Sequence, residues 1–264
     1  MREAFAEHLA DLEQRILSDL EHAADALTTV AAAVQDPARQ RIKRIAFDGR
    51  TLRGKALEAH AELVSLTARQ APVAGDLRLV LALIEVSHHT ALIANQFALI
   101  SEQLANLDPE VADPDNTSDK LARMASIASI QLRKATGSFR HRDLAAAREL
   151  DPADDQLDLL NRQIADTATS TGATTEQREL EFRHVLIARS LERIGDNAVD
   201  IAEQAAFLLT GRSNSPTHPT PTAAAEPDRR APPRGPRHRS RRFAHALADA
   251  DAQLTAVVDW TPST

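Results

Sequence analysis

Residues 187–208 read IARSLERIGDNAVDIAEQAAFL, and this stretch decides the fold. Ile187, Leu191, Ile194, Ala198, Ile201, Ala205 and Leu208 recur at steps of three and four, the period of one face of an α-helix. A strand would alternate at every second residue. The same step runs through two earlier segments. Phe5, Leu9, Leu12, Ile16, Leu20, Ala23, Leu27, Val30 and Val34 form one stripe, ended by Asp36-Pro37. Ile42, Ile45, Gly49, Leu52, Ala56, Ala59, Leu63 and Leu66 form the next, which stops before Pro72. A third helix is predicted to begin at about Pro72, a favourable first-turn residue, and to run to about Leu107. Leu107 to Thr117 is a polar loop containing Pro109 and Pro114, with Asp115-Asn116-Thr117-Ser118 as a capping cluster. Three more helices follow, at about 118–139, at about 143–168 with Pro152 marking a break or kink, and at about 175–210.

Three helices, a polar loop and three helices suggest an internal duplication. A shift of 101 residues lays the third helix on the sixth and superposes Ile84/Val185, Val86/Ile187, Ile100/Ile201, Glu102/Glu203 and Gln103/Gln204. The reading is an all-α protein of two tandem three-helix bundles, residues 1–108 and 117–211, followed by a Pro/Arg-rich tail, 212–264.

Composition agrees. Of 264 residues 43% are hydrophobic but only 3% aromatic, a poor recipe for an all-β protein. The absence of cysteine excludes disulfides, thiol catalysis, zinc-thiolate sites and Cys-ligated iron–sulfur clusters, so a metal would sit on oxygen or imidazole. No stretch approaches the roughly 18 uninterrupted apolar residues of a membrane span, and the expected location is cytoplasmic. Charge is divided unevenly. Residues 211–264 carry eight Arg against five Asp/Glu, a net +3, which leaves −10 of the total −7 on residues 1–210. The tail also holds eight of the 13 prolines, and residues 211–240 read as disordered because they offer too little apolar surface to offset ordering. Arg241 to Val258 is weakly amphipathic and is followed by the single Trp, Trp260.

On the sixth helix Glu192, Asp196 and Asp200 make one acidic ridge, nearly opposite the apolar seam. Carboxylates four residues apart repel unless solvent or a cation offsets them. A solvated face, neutralised in part by Arg189 and Arg193, is the plain alternative. The fifth helix carries a second ladder, Asp154 and Asp158, with Asp155 between them. In an antiparallel hairpin it would face the first, and two facing ladders of oxygen ligands suit Mg²⁺, Mn²⁺ or Fe. Asp154 and Asp155 also fit a helix start after Pro152, where the dipole favours acids. Gly195, mid-helix between two key acids, costs about 1 kcal/mol against Ala and implies a close approach of backbone or ions.

The run Leu191 to Glu203, LERIGDNAVDIAE, resembles the signature of the PhoU family, the phosphate-specific transport accessory and regulatory proteins. The opening Met1-Arg2 with its long amphipathic helix, Gln70-Ala71-Pro72-Val73-Ala74-Gly75-Asp76-Leu77-Arg78, and Asp154-Asp155-Gln156-Leu157-Asp158 agree with it. The resemblance covers about residues 1–211. It implies a duplicated six-helix, non-enzymatic protein that represses the phosphate-starvation response when phosphate is plentiful. It further implies an adaptor between the nucleotide-binding subunit of the phosphate ABC transporter and a sensor histidine kinase, homodimeric and peripheral to the membrane only through its partners. Metal ions (Mg, Mn, Fe or Zn) are implied at E(D)xxxD motifs on neighbouring helices, which here are Glu192/Asp196 and Asp154/Asp158. Asp200 stands where the family often has Asn.

The first repeat departs from the pattern. Ala91, Ala94, Asn95 and Leu99 replace Glu192, Gly195, Asp196 and Asp200 at the 101-residue offset, and Ala56 and His60 stand where two facing acids are expected. A first metal site is therefore expected to be lost, and His60, His88 and His89 are the residues that would rebuild one from imidazole.

Rival readings are weaker. Glu85-Val86-Ser87-His88 and Glu181-Phe182-Arg183-His184 fit the Glu-x-x-His pattern of ferritin-like di-metal centres, but two occurrences are near chance for this composition and lie 96 residues apart, out of register with the repeat. There is no Gly-x-Ser-x-Gly motif and no Walker loop. The Arg cluster Arg234, Arg237, Arg239, Arg241 and Arg242 has the charge to meet nucleic acid or anionic lipid, against which stand the acidic body and a simple solubilising role. A metal-handling bundle, or a paralogous module with another partner, is the alternative function.

Overall fold

A computed structural model describes residues 2–148, 150–170 and 174–211, and the tail 212–264, with its predicted disorder and short helix, lies outside the described residues. The described residues form helices and no strand: α1 (Arg2–Gln35), α2 (Arg39–Gln70), α3 (Ala74–Ala105), α4 (Thr117–His141), α5 (Leu144–Arg148), α6 (Leu150–Ser170) and α7 (Thr175–Thr210). The all-α reading holds. The predicted fifth helix, at about 143–168, corresponds to α5 and α6, between which residue 149 lies outside the described residues. Pro152 is the third described residue of α6.

The stripes read from the sequence are the buried ones. All nine residues of the first are buried, as are seven of the eight in the second, Ile42 lying at its edge. Ile187, Leu191, Ile194, Ala198, Ile201 and Ala205 are fully buried on α7. The most extensive pairings are α2 with α3, α1 with α4, α3 with α7 and α4 with α7. The two halves of the chain thus share one continuous core, in which α1 rests on α4 and α3 on α7. Ser129 Oγ, buried on α4, donates to Ala24 O of α1 at 2.7 Å, and Arg142 Nη2 pairs with Glu13 at 2.8 Å across the same seam. Helix α3 is long and apolar enough to cross a membrane by length and composition. Here it is a core helix that buries Val80, Leu83, Val86, Ile93, Phe97, Ile100 and Leu104.

Two helix starts differ from the sequence reading. Helix α3 begins at Ala74 after an extended Val73, which leaves Pro72 outside it in the turn. That turn opens with Ala71 in the left-handed region at φ 44°, closing α2 through its N–H to Thr67 O. At α4 the N-cap residue Asn116 makes no side-chain cap. The capping oxygens come instead from Asp113, whose Oδ1 and Oδ2 accept the backbone N–H groups of Thr117 and Ser118, each at 2.9 Å. Helix α7 starts with a capping box: Thr174 Oγ1 accepts from Gln177 N, and Gln177 Oε1 accepts from Thr174 N.

Helices α2 and α3 approach closely at Gly49. A Cβ there would lie 2.9 Å from the Cβ of Phe97 and 3.1 Å from Ala94 O, so the helices would have to separate. Gly54, on the same helix, has nothing within 4 Å of such an atom. The two glycines therefore make opposite predictions. Gly54→Ala should raise stability by about 0.5–1 kcal/mol through helix propensity. Gly49→Ala should lose about 1–3 kcal/mol to overpacking despite the same propensity gain. Urea unfolding of both variants checks this, and equal stabilisation by both would refute the close approach.

Candidate functional site

Helix α7 is covered by α3, α4 and α6, so little of its circumference stays wet. Glu192, expected nearly opposite the apolar seam, is consequently not on a solvated face: its side chain is only 13% exposed. It points toward α6, where Asn161 Nδ2 donates to Glu192 Oε2 at 3.0 Å, and Arg189 pairs with the same oxygen from its own helix. Burial pushes the Glu192 carboxyl up from its ordinary 4.5; Arg189 opposes the rise, and the Asp196 and Asp158 carboxylates add to it. Those two influences mark the site. Asp196 comes from the next turn of α7, and half-buried Asp158 comes from α6, so a carboxylate from each helix acts on Glu192. Asp154 lies one turn before Asp158 on α6, and its side chain is outside the described residues.

Asp200 goes elsewhere. Its Oδ2 is 3.6 Å from Nδ1 of His89 on α3, and the same nitrogen donates to Asn197 Oδ1 at 2.9 Å. Asn197 in turn donates to Arg193 O at 2.6 Å, so the imidazole is held in a polar seam between α3 and α7. The other two histidines are placed differently. His60 Nδ1 lies 3.4 Å from Ser87 Oγ, and the His88 ring meets the edge of His89 with centroids 5.7 Å apart. The rebuilt imidazole site is not what these contacts form, since His89 faces α7 while His60 faces α3.

The donor set around Glu192 suits a hard or borderline cation: carboxylates and a carboxamide, gathered from two helices, with one carboxyl raised by burial and by its acidic neighbours. A divalent ion there would neutralise the carboxylates and displace the Glu192 proton.

Comparison with known proteins identifies the family. A family model described as "PhoU domain" matches residues 121–205. A "Phosphate-specific transport system accessory protein PhoU homolog 1" from Methanothermobacter thermautotrophicus is 30% identical over 169 residues, 64% of this chain and 77% of that protein. The chain belongs to the PhoU family. A PhoU homolog 1 from Mycobacterium leprae is 24% identical over 222 residues, 80% of this chain and 95% of the relative. Two crystal structures share the fold. The phosphate transport system regulatory protein PhoU from Streptococcus pneumoniae aligns with a TM-score of 0.71 at 18% identity, covering 79% of this chain and 98% of that one. PhoU from Pseudomonas aeruginosa aligns at 0.64 and 19% identity, covering 80% and 97%.

The sequence reading of this PhoU-family chain passed over one further group. Asp113, Glu181 and His184 bring ligand atoms within 4.8 Å of one another. Glu181 and His184 were visible as a Glu-x-x-His motif, but the third member sits in the α3–α4 loop, where no periodicity reveals it.

The raised Glu192 carboxyl makes a pH prediction. The folded protein holds this proton above pH 4.5, where the unfolded chain releases it, so this group lowers stability as pH rises from 4.5 through the raised folded value. Glu192→Gln removes that fall. Urea midpoints between about pH 4.5 and 7.5 should therefore decline less steeply in the variant, and parallel curves would contradict the burial of this carboxyl.

Proposed function

We propose that this chain is a non-enzymatic regulator of phosphate uptake and of the phosphate-starvation response, acting by protein–protein contact and repressing both when phosphate is plentiful. The observation that carries the reading is the 30% identity, over 77% of its length, to a protein named an accessory of a phosphate-specific transport system. The acidic group on α6 and α7 supports it, since the family signature in LERIGDNAVDIAE falls on that group. The proposed partners are the nucleotide-binding subunit of a phosphate ABC transporter and a sensor histidine kinase, with the chain cytoplasmic, homodimeric and at the membrane only through them. Helix α2 leaves Phe47, Leu57 and Val64 exposed, and the last two, seven residues apart, share a face that a partner helix can cover.

The proposed metal ligands are Asp158, Glu192 and Asp196, with Asp154 one turn away on the same helix. The bound ion supplies concentrated positive charge that holds α6 against α7. Asp200, beside His89, sits at the margin of this set. The two halves, 1–108 and 117–211, are proposed to be duplicates of which the second kept the metal.

Deleting the gene in phosphate-replete cells should raise alkaline phosphatase activity and phosphate uptake together, and no change in either would leave the fold without this role and bring metal handling forward. Glu192→Ala combined with Asp196→Ala should reduce metal bound per chain while far-UV circular dichroism keeps its helical signal. Full metal occupancy in that variant would refute the assignment.

A further inference from the structure

We propose that Asp113, Glu181 and His184 form a binding site for one divalent transition-metal ion, of the Zn²⁺, Mn²⁺ or Fe²⁺ kind, where the α3–α4 loop meets the N-terminal turns of α7. Glu181 and His184 occupy one face of α7 three residues apart, and their side chains are 4% and 3% exposed. Neither is satisfied within the protein: Glu181 Oε2 and His184 Nδ1 are buried without a hydrogen-bond partner. They face each other at 3.9 Å, too far apart for a hydrogen bond. Asp113 closes the group from the loop, with all three ligand atoms inside 4.8 Å.

The chemistry of the three groups selects a metal over other occupants. Ligands on a metal at about 2.0–2.2 Å stand roughly 3.0–3.6 Å apart, so the Glu181–His184 separation of 3.9 Å would close by a few tenths of an ångström, and Asp113, within 4.8 Å of both, would draw in with them. Two carboxylates balance a divalent charge, and a mixture of oxygen and imidazole suits borderline ions better than Ca²⁺ or Mg²⁺. Burial holds the His184 imidazole below its ordinary 6.5, with Asp113 opposing, so its nitrogen lone pair is free near neutrality. Burial pushes Glu181 up, Asp113 and Asp115 push it further, and Lys120 opposes them, a strain that a cation would relieve. Asp113 is already ionised: burial raises its carboxyl, but the backbone N–H groups of Ser118 and Thr117 outweigh that and leave it below the usual range. Those same hydrogen bonds fix its orientation.

This site is separate from the acidic group on α6 and α7. Glu181 precedes Glu192 by eleven residues, about 16 Å along the helix, and pairs a Glu-x-x-His motif with a loop aspartate. Binding an ion would tie the connection between the two halves of the chain to the start of α7.

The test uses the full chain carrying Glu192→Ala and Asp196→Ala, stripped by chelator and titrated with Zn²⁺ by calorimetry and with Co²⁺ by visible absorption. One equivalent of Zn²⁺ should bind, and Co²⁺ should give the d–d bands of an imidazole–carboxylate site. Adding Glu181→Gln or His184→Gln should weaken Zn²⁺ binding at least about tenfold, with circular dichroism confirming the fold. Unchanged stoichiometry and affinity in folded Glu181→Gln and His184→Gln chains would overturn the proposal. So would the absence of both Zn²⁺ binding and Co²⁺ bands in the parent, a result that requires neither substitution at the site and would leave a buried water bridging the three groups.

Discussion

The burial of α7 on three sides by α3, α4 and α6 is the constraint on which the rest of the structure depends. Its apolar seam alone places six side chains completely out of water, and full burial of a Leu or Ile contributes about 1.5–3 kcal/mol. A helix covered over so much of its circumference cannot keep every polar residue wet. Glu192, Asn197, Glu181 and His184 are all drawn inward with it, and each must find a neighbour on another helix or an ion. The polar chemistry of the protein is thus a by-product of one helix being central.

This explains how far the sequence could be read. Stripes such as Phe5 to Val34 and Ile187 to Ala205 were legible because a helix facing a core on one side repeats its apolar residues at 3.6-residue spacing. Whether the face of Glu192 is wet or covered was not legible, for the complementary reason. A helical wheel locates the face opposite a seam, but it does not know that a third helix covers that face, and here Asn161 of α6 does so. The capping oxygens of α4 lie just outside the predicted Asp115–Ser118 cluster, because Asp113 reaches forward across Pro114 while Asn116 adopts a left-handed conformation without capping. The convergence of Asp113 with Glu181 and His184 joins residues 68 and 71 positions apart, and nothing local encodes it.

Membership of the PhoU family and the acidic pattern on α7 are mutually consistent at the level of particular residues. The signature stretch was recognised for its carboxylates, and the structure shows why one of them is energetically exposed to any cation present: Glu192 is held between Asp158 and Asp196 in a place that water reaches poorly. The histidines of the first half contrast with this. His60 and His89 are engaged with Ser87 and Asn197 on different sides of α3, as packing residues of a seam.

The three-residue connection between α2 and α3, with Ala71 left-handed at its start, carries a consequence for the order of assembly. Residues that touch across this hairpin are close in sequence, so little chain entropy is lost in bringing them together. The seams between α1 and α4 and between α3 and α7 join segments about a hundred residues apart, as Ser129 with Ala24 and His89 with Asn197 illustrate. The hairpin can therefore form on the fast timescale of local contacts, with the docking of the two halves as the slow step. The tight contact at Gly49 lies inside the early unit, and the carboxylates of α7 take up their final neighbours only in the late one.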